Sequence, residues 1–272
     1  MTQRKILVGA DPELFMKNPN TGQFVSAHGL VPGTKYEPHK VPFGAVQIDG
    51  TALEFNIDPA HTVDEFLHNI TAVKNTIAGY VPGYNVVAEP VAIYDQVYFD
   101  WEVPGAAKEL GCEPDFNGWT GEENPRPDPG NRPFRTASGH VHIGWTEGVN
   151  PKDDMHFEEC AAVARQMDYY LGIHSLLWDR DPTRRELYGK AGAFRPKPYG
   201  MEYRVLSNRW LSSPSLIRWV YNQVIRGMNA PSAFKEYDDI AREIIDNNVL
   251  NWDQIYKLKL DVEAVPEECI AA

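Results

Sequence analysis

The chain predicts a mixed α+β protein, strand-rich through about residue 206 and helical beyond it. Short runs of alternating apolar and polar residues, the mark of half-buried strands, recur between Ile6 and Leu206, and apolar residues at helical spacing take over afterwards. Four of the strand-like runs also set polar, metal-capable side chains two residues apart: Asp11-Pro12-Glu13, Glu54-Phe55-Asn56, His140-Val141-His142 and Glu202-Tyr203-Arg204. Residues i and i+2 of a strand point to one face. Each run therefore aims two such groups the same way, while Leu14, Phe15, Leu53, Phe55, Val141, Ile143, Tyr203 and Val205 mostly turn the other way.

The first strand begins at Ile6-Leu7-Val8 and reaches Pro12, whose missing N–H predicts an edge or a bulge. Residues 17–43 are rich in turn formers, with a short strand near Phe24–Ala27. Ala45–Ile57 reads as a strand pair broken at Asp49-Gly50. A helix follows, with Thr62 as N-cap, Glu65 three residues on, and Val63, Phe66, Leu67, Ile70, Val73 and Ile77 at helical spacing until Gly79 or Gly83. Asn85–Tyr94 is a valine-rich strand. Residues 95–134 show no clear period and read as a long functional loop. Arg135–Trp145 is the histidine strand, Lys152–Trp178 a long helix, Asp179–Tyr199 a basic glycine-bearing loop and Met201–Leu206 the last strand. Helices are expected over about 213–228, with Pro214 well placed in its first turn, and over 233–246 and 252–260.

The chain has 272 residues, 43% hydrophobic and 24% charged, which fits one large globular domain. Its net charge of −12 argues against nonspecific binding to nucleic acid or anionic membranes, though not against a local basic pocket. Three cysteines without a CxxC make a disulfide framework or zinc knuckle a poor fit and favour a reducing compartment. Without an apolar leader or a run near the roughly 20 residues that span a bilayer, a cytoplasmic protein is expected.

Each constellation has a plain alternative. Asp11 and Glu13 could be a solvated strand end, and Asp49 a simple turn residue. Glu54 stands among Ala52, Leu53, Phe55 and Ile57, where a carboxylate needs a charged partner or a metal. His140 and His142, bracketed by Gly139 and Gly144 with room for a ligand to approach, could instead be a structural pair. Read as zinc ligands they need a third group, which Glu13, Glu54 or Glu202 could supply. Glu202 and Arg204 could form a cross-strand ion pair. Arg184, Arg185, Lys190, Arg195 and Lys197 could be a solvated basic loop or a flap that contacts phosphate. No GxxxxGK[ST] motif occurs, which excludes a P-loop.

In chain order these segments resemble the carboxylate–amine ligases of the glutamine synthetase and glutamate–cysteine ligase superfamily, and more closely their phage-associated type 2 branch. The carrying stretches are Gly9–Phe15, Asp49–Asn56, Gly111–Asn117, Arg135–Gly144, Tyr188–Arg195 and Gly200–Ser207. The resemblance implies a single catalytic domain over 1–272, its core at about 4–210 and a helical part at 211–272. It implies a curved, mainly antiparallel sheet with the active site on its concave face and helices on the other. It further implies ATP with Mg²⁺ or Mn²⁺ as cofactors and an amide-forming reaction through an acyl phosphate. Glu13, Glu54, His142 and Glu202 would be the metal ligands. His140 would be a further ligand or a nucleotide contact. Arg204 and Arg195 would meet the transferring phosphoryl group, with Lys190 and Arg185 beside the nucleotide. Asp49 would face the substrate amine or a metal-bound water. Partners would be small-molecule, peptide or protein carboxylates and amines, in a chain that could assemble with its own copies. Two other functions stay open: a zinc hydrolase using the His-x-His strand, and a non-catalytic ligase-like module.

Overall fold

The computed structural model describes residues 5–108, 115–128, 132–231, 238–259 and 265–270. Its strands are β1 (Leu7–Ala10), β2 (Glu13–Lys17), β3 (Phe24–Val25), β4 (His39–Val41), β5 (Gly44–Asp49), β6 (Ala52–Ile57), β7 (Asn85–Val87), β8 (Val91–Ile93), β9 (Phe116–Asn117), β10 (Phe134–Thr136), β11 (Val141–Gly144), β12 (Ala193–Lys197) and β13 (Gly200–Tyr203). The helices are α1 (Val63–Tyr80), α2 (Gln96–Trp101), α3 (Gly105–Lys108), α4 (Asp154–Met167), α5 (Ile173–Ser175), α6 (Pro214–Asn229), α7 (Asp238–Asn247), α8 (Trp252–Lys257) and α9 (Glu267–Ile270).

Two antiparallel sheets form the frame. One runs β1-β11-β13-β12-β9 and the other β3-β2-β6-β5-β4, with β7 also on β2; β8 and β10 make a separate ribbon. The sheets meet where β1 passes into β2. Pro12, which has no N–H to give a ladder, lies at that junction, and its carbonyl accepts from Phe55 N. Asp11 N and Glu13 N donate to the carbonyls of His140 and Ser138, so the bend stays tied to the histidine segment.

Side-chain alternation decides which face is buried. Val8, Leu14, Val46, Leu53, Phe55, Val141, Ile143, Phe194, Met201 and Tyr203 point into one continuous core. Helix α1 covers it with Phe66, Ile70, Val73 and Ile77, each worth about 1.5–3 kcal/mol of apolar burial, and packs against α6. Thr62 accepts from Glu65 N as expected, but Glu65 reaches back to His61 N, one residue before the cap. Ser213 caps α6, with Pro214 in its first turn.

The expected long helix is α4 and α5 joined by a π-helical turn over Asp168–Gly172. The expected valine-rich strand is two, β7 and β8, in different sheets. The region 95–134 holds α2, α3, β9 and the start of β10. The start of the helix expected at 233–246 and Cys112 lie outside the described residues. Among the described residues no helix is long and apolar enough to cross a membrane.

Candidate active site

The polar faces of the two sheets carry two cross-strand rows. In one, His142 stands opposite Glu202 and Glu202 opposite Arg195. In the other, Gln47 stands opposite Glu54 and Glu54 opposite Glu13. Strand pairing thus sets side chains distant in sequence, such as His142 and Glu202, directly opposite each other.

The first row closes around Asp11. Asp11, His142 and Glu202 offer ligand atoms that all lie within 4.8 Å of one another. His142 Nε2 lies 2.9 Å from Asp11 Oδ1, yet both atoms are buried without a well-formed hydrogen bond. His142 Nδ1 meets the Tyr199 hydroxyl, which fixes the ring. Burial opposes ionisation of Asp11, but the charge of His142 and the closeness of both imidazoles hold its carboxyl far below the usual range. Burial alone would lower His142; Asp11 reverses this and raises it. Burial and Arg204 push His140 down to about 4, so at neutral pH it is uncharged and its Nδ1, 3.3 Å from Arg204 Nη1, can accept from it.

Glu202 is fully buried. Its Oε2 lies 2.8 Å from Lys197 Nζ and 3.3 Å from Arg195 Nη1, and its Oε1 faces Arg204 Nη1 and lies 3.3 Å from His140 Nδ1. Burial would raise this carboxyl; Arg204 above all, with Lys197 beside it, outweighs burial and holds it well below the ordinary value. Arg204 is anchored in turn by Asp115, with Nε to Oδ2 at 2.8 Å.

The second row is short of positive charge. Burial, then the neighbouring carboxylate of Asp49, pushes Glu13 up to about 8, although its Oε2 accepts from Ser138 N at 2.8 Å. Burial, then Asp11, Glu13 and Asp49, drives Glu54 well above the usual range despite a 2.5 Å hydrogen bond from Gln47 Nε2. Burial also raises Asp49, which Lys35 and Arg204 partly offset. Three carboxyls that resist ionisation beside two orphaned ligand atoms form a donor set that fits a divalent cation. Oxygen-rich ligands with one imidazole suit Mg²⁺ or Mn²⁺.

The second row, and Arg195 of the first, face a hollow of about 310 Å³, lined among others by Asp11, Glu13, Asp49, Glu54, Arg195 and Arg204. A second hollow of about 420 Å³, more apolar, shares Asp11, Gln47, Glu54 and Asn56 and adds His142 and Tyr199. Of the expected site residues, Glu13, Glu54, His140, His142, Glu202, Arg195, Arg204 and Asp49 thus converge here. Asp11 takes a place among the ligand atoms that the sequence resemblance gave to Glu13.

The expected basic flap is corrected. Residues 193–197 are strand β12, paired with β13 and, at Ala193 and Phe194, with β9. Arg185 is buried, and its guanidinium is held by Gly189 O, Ser175 Oγ and Asn248 Oδ1, so it cannot reach a phosphate in the hollow. Arg184 is likewise buried and ties Ala137 O to Val205 O. Lys190 lines a neighbouring hollow with Arg126 and Arg204 rather than the acidic one. Gly139 leaves its space to the Ser207 carbonyl and the Trp210 ring nitrogen, so close approach there serves packing instead of a ligand.

Asp115, Tyr199 and Gln47 were missed. Gln47 shares the alternation of Asp49 and could have been found from it. Asp115 sits in the Gly111–Asn117 stretch singled out without a role, and nothing local marks Tyr199.

Residues 130–227 match the family model described as "Phage phiEco32-like COOH.NH2 ligase-type 2". That stretch contains His140, His142, Arg195, Glu202 and Arg204, and it bears out the family resemblance legible in the sequence. No curated protein matches the chain. Among solved structures, one described as "Crystal structure of novel glutamine synthase homolog" is 11% identical, covering 96% of this chain and 67% of that one with a TM-score of 0.34.

Proposed function

We propose that the chain is an ATP- and divalent-metal-dependent carboxylate–amine ligase that joins an acid to an amine through an acyl phosphate. The observation that carries this is the meeting of Asp11, His142 and Glu202 within 4.8 Å, with Asp11 also lining a hollow shared by Glu13, Glu54, Asp49, Arg195 and Arg204. The family match, whose description names this bond, supports it.

Asp11, His142 and Glu202 would hold the ion, with Glu13 and Glu54 facing the same space. A bound Mg²⁺ or Mn²⁺ neutralises phosphate charge and aligns the attacking carboxylate. In the first step a carboxylate oxygen bonds to the γ-phosphorus of ATP, the bond to the bridging oxygen breaks, and ADP leaves. Arg195, Lys197 and Arg204 supply donors for the phosphoryl oxygens, Arg204 steadied by Asp115. In the second step an amine attacks the acyl carbon and inorganic phosphate departs. The amine must first lose a proton, and buried carboxyls with raised affinity for protons are suited to take it. Asp49 and Glu13 are both of that kind. What favours this reading over a zinc hydrolase is that His140 Nδ1 lies among Arg204, Glu202 and Asp11, and that the cluster found among the described residues has one imidazole, His142, beside two carboxylates.

The test is ADP release from ATP, with product mass measured, across a panel of acids and amines with Mg²⁺ or Mn²⁺. The expected result is turnover that needs acid, amine and metal together. ADP release that ignores both organic substrates, or ester and amide hydrolysis without ATP, would overturn the assignment.

A further inference from the structure

One lining residue of the 310 Å³ hollow plays no part in the chemistry above. Arg135, on β10, is only 5% exposed. Its Nη1 donates to Phe134 O at 2.7 Å, its Nη2 donates to Lys108 O, and its guanidinium lies 4.8 Å over the Phe99 ring. Its Nε is buried without a hydrogen-bond partner. Among the described residues it makes no ion pair with a carboxylate, and beyond burial the groups that act on it are the phenols of Tyr94 and Tyr188. The Tyr94 hydroxyl, buried near Thr51, also lacks a well-formed hydrogen bond.

A buried cation without a carboxylate partner is costly, and a buried donor left unmade adds to the cost. Arg135 therefore stands where an incoming anion gains most. A carboxylate fits better than a phosphoryl group. Two of the three guanidinium nitrogens are already bound to main-chain carbonyls, which leaves Nε for one oxygen, whereas phosphate is better served by the several donors of Arg195, Lys197 and Arg204. The same hollow is lined by the carboxyl groups of Glu13, Glu54 and Asp49, an acidic surface that suits an ammonium group. Its volume is that of a small-molecule site.

We infer that Arg135 anchors a carboxylate carried by the amine substrate, so that the amine joined by this enzyme belongs to the amino-acid class and is not a plain amine or polyamine. The inference rests on the ligase reading for what the amine does next, but not for its binding.

The experiment is calorimetric titration of the full chain, without nucleotide, with the twenty L-amino acids, their α-carboxamides and putrescine. The expected result is that at least one amino acid binds and that its carboxamide binds at least tenfold more weakly. Arg135→Gln should erase that difference while leaving stabilisation by ATP with Mg²⁺ intact. If Arg135→Gln fails to fold, the acid–amide pair on the wild-type chain decides alone. Equal binding of acid and amide, binding of putrescine but of no amino acid, or no binding at all would overturn the inference. So would loss of ATP affinity in Arg135→Gln, which would make the site one for phosphate. Failure of the ligase reading shows separately, as absent ATP-dependent turnover.

Discussion

Glu202 and Glu54 are both buried or half-buried strand carboxylates, yet their removal should change stability in opposite directions. Glu202 lies among Arg204, Lys197, Arg195 and His140 and has no solvent exposure. Glu202→Gln keeps the shape and deletes the charge, leaving Arg204, Lys197 and Arg195 facing an amide. Breaking a buried ion pair from one side costs about 3–5 kcal/mol. Arg204 keeps Asp115, and the side chains of Arg195 and Lys197 are 18% and 26% exposed, which places the loss near the lower end, at about 3 kcal/mol. For a chain of this size that is a fall in Tm of roughly 6–12 °C. Glu54 is surrounded by Asp11, Glu13 and Asp49, and its partner Gln47 can donate equally well to an amide oxygen. Glu54→Gln relieves crowding of like charges and should leave the metal-free protein as stable as wild type, or more so, while ATP turnover is lost. Thermal melts at pH 7 with chelator present measure both. A Glu202→Gln melt within about 2 °C of wild type, or a large loss in Glu54→Gln, would refute this account of the charges.

Arg185→Ala should lower Tm by several degrees, because Gly189 O and Asn248 Oδ1 lose their donor, and should leave KM for ATP unchanged; a raised KM would return Arg185 to the nucleotide site. Asp168 is buried under β13, accepting from Tyr203 OH at 2.7 Å and Trp119 Nε1 at 2.6 Å, and burial lifts its carboxyl to about 7. A folded-state value above the unfolded one stabilises below about pH 4, and that contribution is lost as pH rises through 7, with a ceiling of about 4 kcal/mol. Asp168→Asn should therefore flatten the fall in urea midpoint between pH 5 and 8, and parallel curves for the two proteins would contradict this. Tyr199→Phe removes the hydroxyl that steadies His142 Nδ1 and should weaken Mn²⁺ binding about tenfold with little change in Tm; unchanged Mn²⁺ affinity would remove Tyr199 from the support of the site.

Much of the frame was legible because alternation is a local property. Glu54 against Phe55, and His142 against Ile143, reveal their faces from neighbours alone. Which strands pair was not legible, since register depends on contacts between distant segments. That is why Asp11 and Glu13, two residues apart, were read as one unit. The bend at Pro12 sends Asp11 to His142 and Glu13 to Glu54, in different sheets. The arginine pair misled for a related reason. Local charge density looks like a phosphate flap, but Arg184 and Arg185 spend their donors on carbonyls and side chains supplied by other parts of the chain. The π-helical turn at Asp168 leaves no mark in the apolar periodicity, which runs through it unbroken.

The most direct test of the shared cation site is Mn²⁺ titration followed by electron paramagnetic resonance, with and without ATP. Wild-type protein should bind Mn²⁺ more tightly when ATP is present, and Asp11→Asn and His142→Gln should each lose at least tenfold in affinity while remaining folded. Wild-type affinity in both variants would show that these side chains do not hold the metal, and the account of the site would fail with them.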